Sequence, residues 1–235
     1  IVTRAKVMPE TLQTGQGVTM SAGLNGKKKE YKAEKILVSV RRQANVEGIG
    51  LQNTEIQIDN GVIAVNEFYQ TKESHIYAIG DVIGGMQLAH VASHEGITAV
   101  EHIANQSPHP IQYDFISRCI YSSPEAASVG ITEDEAIQRG HKVKVGKFPF
   151  KAIGKALVFG ESDGFVKMIS DEETDDLLGV HMIGPHVTDM ISEAGLALIL
   201  NATAWEVSKA IHPHPSLSEA IGEAALAVDG KALHS

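Results

Sequence analysis

Apolar and polar positions alternate in two distinct rhythms along the 235 residues. Residues 1–42 read as short strands, with Val18-Thr19-Met20 after Gly15-Gln16-Gly17 and Tyr31-Lys32-Ala33 after Asn25-Gly26. Asn-Gly between two strand-like runs is a hairpin signal, because both residues accept the positive φ that a tight turn requires. The run Ile36-Leu37-Val38-Ser39-Val40 has the composition of a strand buried on both faces. Residues 43–71 read as loop and short strands, with a turn at Asp59-Asn60-Gly61. Ile76-Tyr77-Ala78-Ile79 predicts a further apolar strand, closed by Gly80-Asp81. From Leu88 to about Asn105 the rhythm turns helical, with Leu88, Val91, Ala92, Ala99, Val100 and Ile103 as candidate core.

The polar, proline-rich stretch Asn105-Gln106-Ser107-Pro108-His109-Pro110 marks the clearest boundary in the chain. Beyond it the pattern predicts a compact α+β unit. Ile120-Tyr121 is a short strand. Thr132 caps a helix whose first turn holds Glu133, Asp134 and Glu135, and Gly140 ends it. Strands follow at Val143–Phe150, Phe165–Ile169 and Leu177–Ile183. Helices follow at Val187–Leu200, around Trp205 and after Ser216. In the last of these, Leu217, Ile221, Ala224, Ala225 and Val228 recur at helical spacing.

Composition narrows the partners. The chain is 43% hydrophobic and 21% charged, with net charge −9. Its one short basic run, Lys27-Lys28-Lys29, reads as a solvated hairpin tip, so nucleic-acid binding is disfavoured. No apolar stretch reaches membrane-spanning length, and no signal peptide opens the chain. The single cysteine, Cys119, excludes an internal disulfide, suits a reducing compartment, and reads as a small buried apolar residue. Ile1-Val2-Thr3-Arg4 reads as the interior of a domain, so a piece of a longer protein is expected.

Two segments carry candidate chemistry. In His212-Pro213-His214-Pro215-Ser216-Leu217-Ser218-Glu219, two imidazoles and a carboxylate sit among stiffening prolines ahead of a helix. Ser216 with Glu219 three residues later reads as a capping box. A rigid histidine beside a carboxylate is also a general acid/base arrangement, with the carboxylate orienting the ring. Metal binding by His212 and His214 is the weaker reading, since proline limits convergence and no further ligand cluster accompanies them. The second segment is Gly80-Asp81. Ligands gather at the carboxyl ends of strands in open α/β sheets, glycine lets them approach the backbone, and aspartate accepts bonds from sugar-type hydroxyls. A plain turn is the alternative.

The motif HPHPSLSEA resembles the C-terminal signature of the flavin-dependent disulfide reductases, with the dihydrolipoamide dehydrogenase branch the nearest. The resemblance implies that His214 is the acid/base for the dithiol, that Glu219 bonds to it, and that His214–Pro215 is a cis peptide. The stretch His75–Val82 with Leu88-Ala89-His90 resembles the family's second flavin-binding segment. This implies FAD contacts by Gly80 and Asp81, the latter on the ribityl chain, with Gln87, Leu88, Ala89 and His90 along the isoalloxazine. The family has an apolar residue where this chain carries Gln87. Val38-Ser39-Val40-Arg41-Arg42 is similar to the end of the family's NAD-binding domain, with Arg41 in place of a glycine near the dinucleotide. A solvated basic pair is the alternative there.

The resemblance implies an α/β and α+β architecture in three parts. Residues 1–42 would close an NAD-binding domain, 43–112 return to an FAD-binding domain, and 113–235 form an antiparallel-sheet-plus-helices interface domain. It further implies FAD and NAD as cofactors of the longer enzyme and none retained by this piece. A homodimer is implied, in which the histidine reaches the partner's flavin. So are the lipoyl and subunit-binding domains of a 2-oxo-acid dehydrogenase complex, in a bacterial cytoplasm or a mitochondrial matrix. Neither Gly15-Gln16-Gly17 nor Gly48-Ile49-Gly50 completes a Gly-x-Gly-x-x-Gly loop, and Cys119 has no second cysteine. The isolated chain is therefore expected to be inactive. A noncatalytic dimerisation module, or a part of a glutathione or mercuric reductase, is the competing reading.

Overall fold

A computed structural model describes residues 1–40 and 42–234. Strands β1 (Lys6–Thr14), β2 (Val18–Leu24) and β3 (Lys27–Ala33) form an antiparallel sheet in that order. The β2–β3 turn is Asn25-Gly26, with φ of 49° and 74°. Positive φ at both positions gives a turn whose twist matches the strands it joins, as the dipeptide predicts. Asn60 and Gly61, at φ 49° and 84°, likewise join β4 (Ile58–Asp59) to β5 (Val62–Ile63).

Two expected strands do not form. Leu37, Val38 and Val40 lie outside any strand and are 91%, 69% and 82% exposed. Ile76–Ile79 contributes only one isolated bridge, Gln70 to Tyr77. A buried strand needs neighbours on both edges and cover on both faces, and no described residue supplies these here. The helix α1 (Ala89–Ile103) does form. Val91 and Ala99 are buried, whereas Val100 and Ile103 are 64% and 56% exposed. This helix is apolar on two faces, and the described residues cover one.

Beyond α1 come β6 (Arg118–Ile120), β7 (Glu125–Gly130), α2 (Glu133–Gln138), β8 (Val143–Pro149), α3 (Gly154–Phe159), β9 (Phe165–Asp171) and β10 (Leu177–Gly184). Helices α4 (Val187–Ile199), α5 (Ala204–Lys209) and α6 (Glu219–Ala227) complete the chain. The strands make one antiparallel sheet in the order β6-β7-β10-β9-β8. Strand β7, Glu-Ala-Ala-Ser-Val-Gly, and the short helix α3 escape the sequence pattern. Small residues give β7 little strand propensity, and it is held by pairing on both sides.

Helix α4 lies across β7 and β10, and α6 across β8 and β9. Their shared core is built from Val129, Phe148, Val166, Met168, Val180 and Met182 of the sheet with Ile191 and Ile221 of the helices. A Cβ at Gly146 of β8 would stand 2.1 Å from the Ala224 carbonyl oxygen, so α6 rests directly on the strand backbone. This close approach fixes the height of α6, and hence of Glu219 at its start.

Helix α2 illustrates how local sequence sets an element. Thr132 accepts from the Glu135 backbone N–H, and the Glu135 carboxylate accepts from the Thr132 N–H at 2.8 Å. The backbone and side-chain bonds from Thr132 hold the Glu135 carboxyl below the usual range. Replacing Thr132 with Ala is expected to lower the unfolding free energy by about 1 kcal/mol. Urea denaturation checks this, and a neutral substitution would show that the cap is redundant.

Candidate functional site

The segment between α5 and α6 presents His214 to solvent, with 78% of its side chain exposed. Its Nδ1 stands 2.8 Å from Oε1 of Glu219, and the other carboxylate oxygen accepts from the Ser216 N–H at 2.8 Å. An ionised carboxylate can only accept, so the bond places the proton of a neutral His214 on Nδ1. The lone pair is then on Nε2, free to take a proton from outside. Burial pushes the Glu219 carboxyl up, but the Ser216 N–H and His214 more than offset this and leave it below its ordinary value. Glu219 thus remains charged beside the imidazole.

The capping box expected at Ser216 is only half made. Helix α6 begins at Glu219 with Ser218 as its N-cap, and no side chain caps it. The Ser216 hydroxyl bonds instead to the Ser218 hydroxyl at 2.9 Å. Glu219 is therefore committed to His214 and the Ser216 backbone together, and the structural and chemical readings of the motif coexist. The His214–Pro215 peptide is cis.

Two further histidine–carboxylate pairs surround this one, and sequence reasoning did not find them. His212 Nε2 lies 2.7 Å from Oε1 of Glu193 on α4, and His234 Nδ1 lies 2.6 Å from Oε1 of Glu223 on α6. The carboxylates stand on strongly apolar helices, which was the available signal. The hydrogen bond and charge of Glu193 raise the His212 value above 6.5, against the opposing effect of burial. A raised histidine adds stability that is complete below its unfolded value and disappears as pH rises through its folded value. Glu193→Gln is therefore expected to destabilise the chain most at about pH 5.5 and least at about pH 8.5. Equal shifts in urea midpoint at both would contradict the pairing.

The second segment is a turn rather than the end of a strand. Gly80–Ile83 forms one 3-10 turn, with Gly80 at φ 75°. The Gly80 N–H donates to Oε2 of Glu95 at 2.6 Å, and Oε1 of the same carboxylate accepts from the Tyr113 hydroxyl at 3.0 Å. Glu95 is 2% exposed, so one buried carboxylate ties the turn, α1 and the start of the following unit together. Helix α1 opens after Leu88 with no side-chain cap, which leaves the N–H groups of its first turn to other acceptors. Asp81 is half-exposed and 3.7 Å from the Arg42 guanidinium. Arg42 also bonds to the Gln87 carbonyl, and the Gln87 side chain donates to the Asp81 carbonyl at 3.3 Å. His90 Nε2 donates to the Ser117 carbonyl at 3.1 Å.

Gly80, Asp81, Gln87, Leu88, Ala89 and His90 thus come together with Arg42, while Arg41 lies outside the described residues. These residues fit a hydroxyl-bearing chain at Asp81 and an electron-rich ring edge at the uncapped helix. Arg42 is turned toward Asp81. A cleft of about 680 Å³ opens beside His90, His94, Phe115, Cys119 and Ile191, and neither His214 nor Glu219 lines it. Cys119 is half-buried rather than buried, and burial, with Glu125 nearby, pushes its thiol up.

Residues 116–225 match the dimerisation domain of the pyridine nucleotide-disulphide oxidoreductases, and residues 1–96 match a second domain of the same name. The chain belongs to this family. It is 69% identical to a dihydrolipoyl dehydrogenase of Bacillus subtilis (strain 168), over 99% of this chain and 49% of that protein. It is 45% identical to a mitochondrial dihydrolipoyl dehydrogenase of Caenorhabditis elegans, over 95% and 46%. The crystal structure of LpdA from Mycobacterium tuberculosis superposes with a TM-score of 0.83 at 26% identity, over 93% of this chain and 48% of that one. The chain spans about half the length of the curated relatives it matches.

Proposed function

We propose that this chain is the C-terminal part of a dihydrolipoamide dehydrogenase, in which His214 and Glu219 manage the protons of the dithiol substrate. The observation that carries the reading is the His214 Nδ1–Glu219 contact of 2.8 Å, with Nε2 directed away from the carboxylate on an exposed ring. Nε2 takes the proton of a substrate thiol, and the charge of Glu219 stabilises the imidazolium that results. Return of that proton completes the cycle, so the dyad passes from a net charge of −1 to neutral and back. Asp81 and the start of α1 would hold the FAD, Asp81 at the ribityl hydroxyls and Gln87 to His90 at the ring. Flavin, when bound, supplies the two-electron chemistry between the dithiol and the nicotinamide.

The redox cysteine pair of such an enzyme is not within these 235 residues, which hold Cys119 alone. Residues 1–42 would close the NAD-binding domain, 43–112 belong to the FAD-binding domain, and 113–235 form the interface. The acid/base pair lies outside the cleft beside His90. This supports a homodimer in which His214 serves the partner's flavin. The 2-oxo-acid dehydrogenase complexes would be the setting, through their lipoyl and subunit-binding domains.

By itself the chain is expected to behave as a dimerisation module. Analytical ultracentrifugation should show a dimer, a visible spectrum no flavin band, and an NAD-linked assay no dihydrolipoamide oxidation. Turnover by the purified 235-residue polypeptide would sink this assignment of parts.

A further inference from the structure

The first histidine of the His-Pro-His-Pro motif has no role in the proton chemistry proposed above, yet it is the better buried of the two. Its side chain is 10% exposed, against 78% for His214. On one side, Nε2 meets Oε1 of Glu193 of α4 at 2.7 Å. On the other, the ring is close against Gly222 of α6, where a Cβ would stand 2.8 Å from Nδ1 and 3.1 Å from Cε1. His212 is thus clamped between the two helices that cover the sheet. Only Pro213 separates it from His214, and Pro215 follows. Each proline restricts its own φ and the conformation of the residue before it, so little freedom remains between the clamp and the acid/base ring.

We propose that the Glu193–His212 pair, closed by Gly222, is the positioning element of the acid/base segment and sets where His214 stands over Glu219. This rests on the reading of His214 as the acid/base. The chain from 212 to 219 is held at both ends. Glu193 and Gly222 fix its beginning, and Glu219 and the Ser216 N–H fix its end. Two carboxylates act on His212, Glu193 from α4 and Glu219 from α6, and both favour its protonated form.

The test uses histidine-ring 15N NMR on the intact chain. In Glu193→Gln, the proton affinity of His212 is expected to fall about tenfold, and the His214 ring signals are expected to move with it as the bond to Glu219 is redrawn. Gly222→Ala, which displaces the ring from the opposite side, is expected to move His214 likewise, and it serves if Glu193→Gln fails to fold. Movement of His212 with the His214 signals unchanged in either folded variant would overturn the proposal, leaving the pair a local tether. So would an ordinary His212 titration that ignores Glu193. Because the signals report ring position and not turnover, they stand apart from the acid/base reading, which fails only if His214 proves dispensable in the full-length enzyme.

Discussion

His214→Gln, introduced into an enzyme that carries these residues as its C-terminal half, is expected to cut dihydrolipoamide turnover by about 10²- to 10⁴-fold. The loss should fall on chemistry and not on folding. His214 is exposed, its ring contributes nothing to the core, and its one hydrogen bond among the described residues is to Glu219. Glutamine keeps a hydrogen-bonding group near the carboxylate but has no lone pair with a pKa near neutrality, so the thiol proton has no acceptor. Glu219→Gln is expected to cost less, about 10- to 100-fold. The Gln carbonyl can still accept from Nδ1–H and preserve the tautomer, while the charge that steadied the imidazolium is gone. Steady-state kinetics across the pH range, with thermal melts as a control on folding, separates the readings. Turnover of His214→Gln equal to the parent at every pH would show that the acid/base lies elsewhere. Reduced melting temperature with normal turnover per folded molecule would make the motif a structural cap.

Local chemistry was legible in the sequence wherever a short segment determines its own geometry. Asn25-Gly26 turns because both residues tolerate positive φ, and Thr132 with Glu135 caps α2 because both bonds close within four residues. The His214–Glu219 contact belongs to this class, since the two side chains are five residues apart at a helix start. The periodicity of α6 also held, with Leu217, Ile221, Ala224, Ala225 and Val228 all buried. What failed depended on cover. Val38 and Ile79 have strand composition but find no sheet among the described residues, and Val100 and Ile103 lie on the face of α1 that nothing described covers. A hydrophobic pattern states what a segment would bury, and it does not state whether the partner is in the same polypeptide. Glu193 and Glu223 were missed for a related reason. Their histidines stand 19 and 11 residues away, distances at which only the folding of the 210–218 segment onto α4 and of the final segment onto α6 decides who meets whom.

Phe148→Ala is expected to be the most damaging single core change, lowering the unfolding free energy by about 3–5 kcal/mol. Phe148 is 1% exposed on β8 and belongs to the same core cluster as Met168, Met182 and Ile221. Removing the ring forfeits its transfer from water and leaves a void that close-packed neighbours fill only in part. Against a net stability of about 5–15 kcal/mol for an ordinary domain, such a loss is a large fraction of the whole. Phe159→Ala on α3 is the matched control, because that ring is 46% exposed and surrenders far less. Urea unfolding should show a lower midpoint for Phe148→Ala at an unchanged slope. A cost no greater than that of the Phe159 control would mean that the sheet and its helices do not form the shared core described here. The consequence reaches the site, because α6 rests on β8 at Gly146 and carries Glu219 at its first position. A loosened β8 should therefore weaken the hold on His214 even in molecules that remain folded, and Phe148→Ala in the full-length enzyme should lose turnover before it loses its sheet.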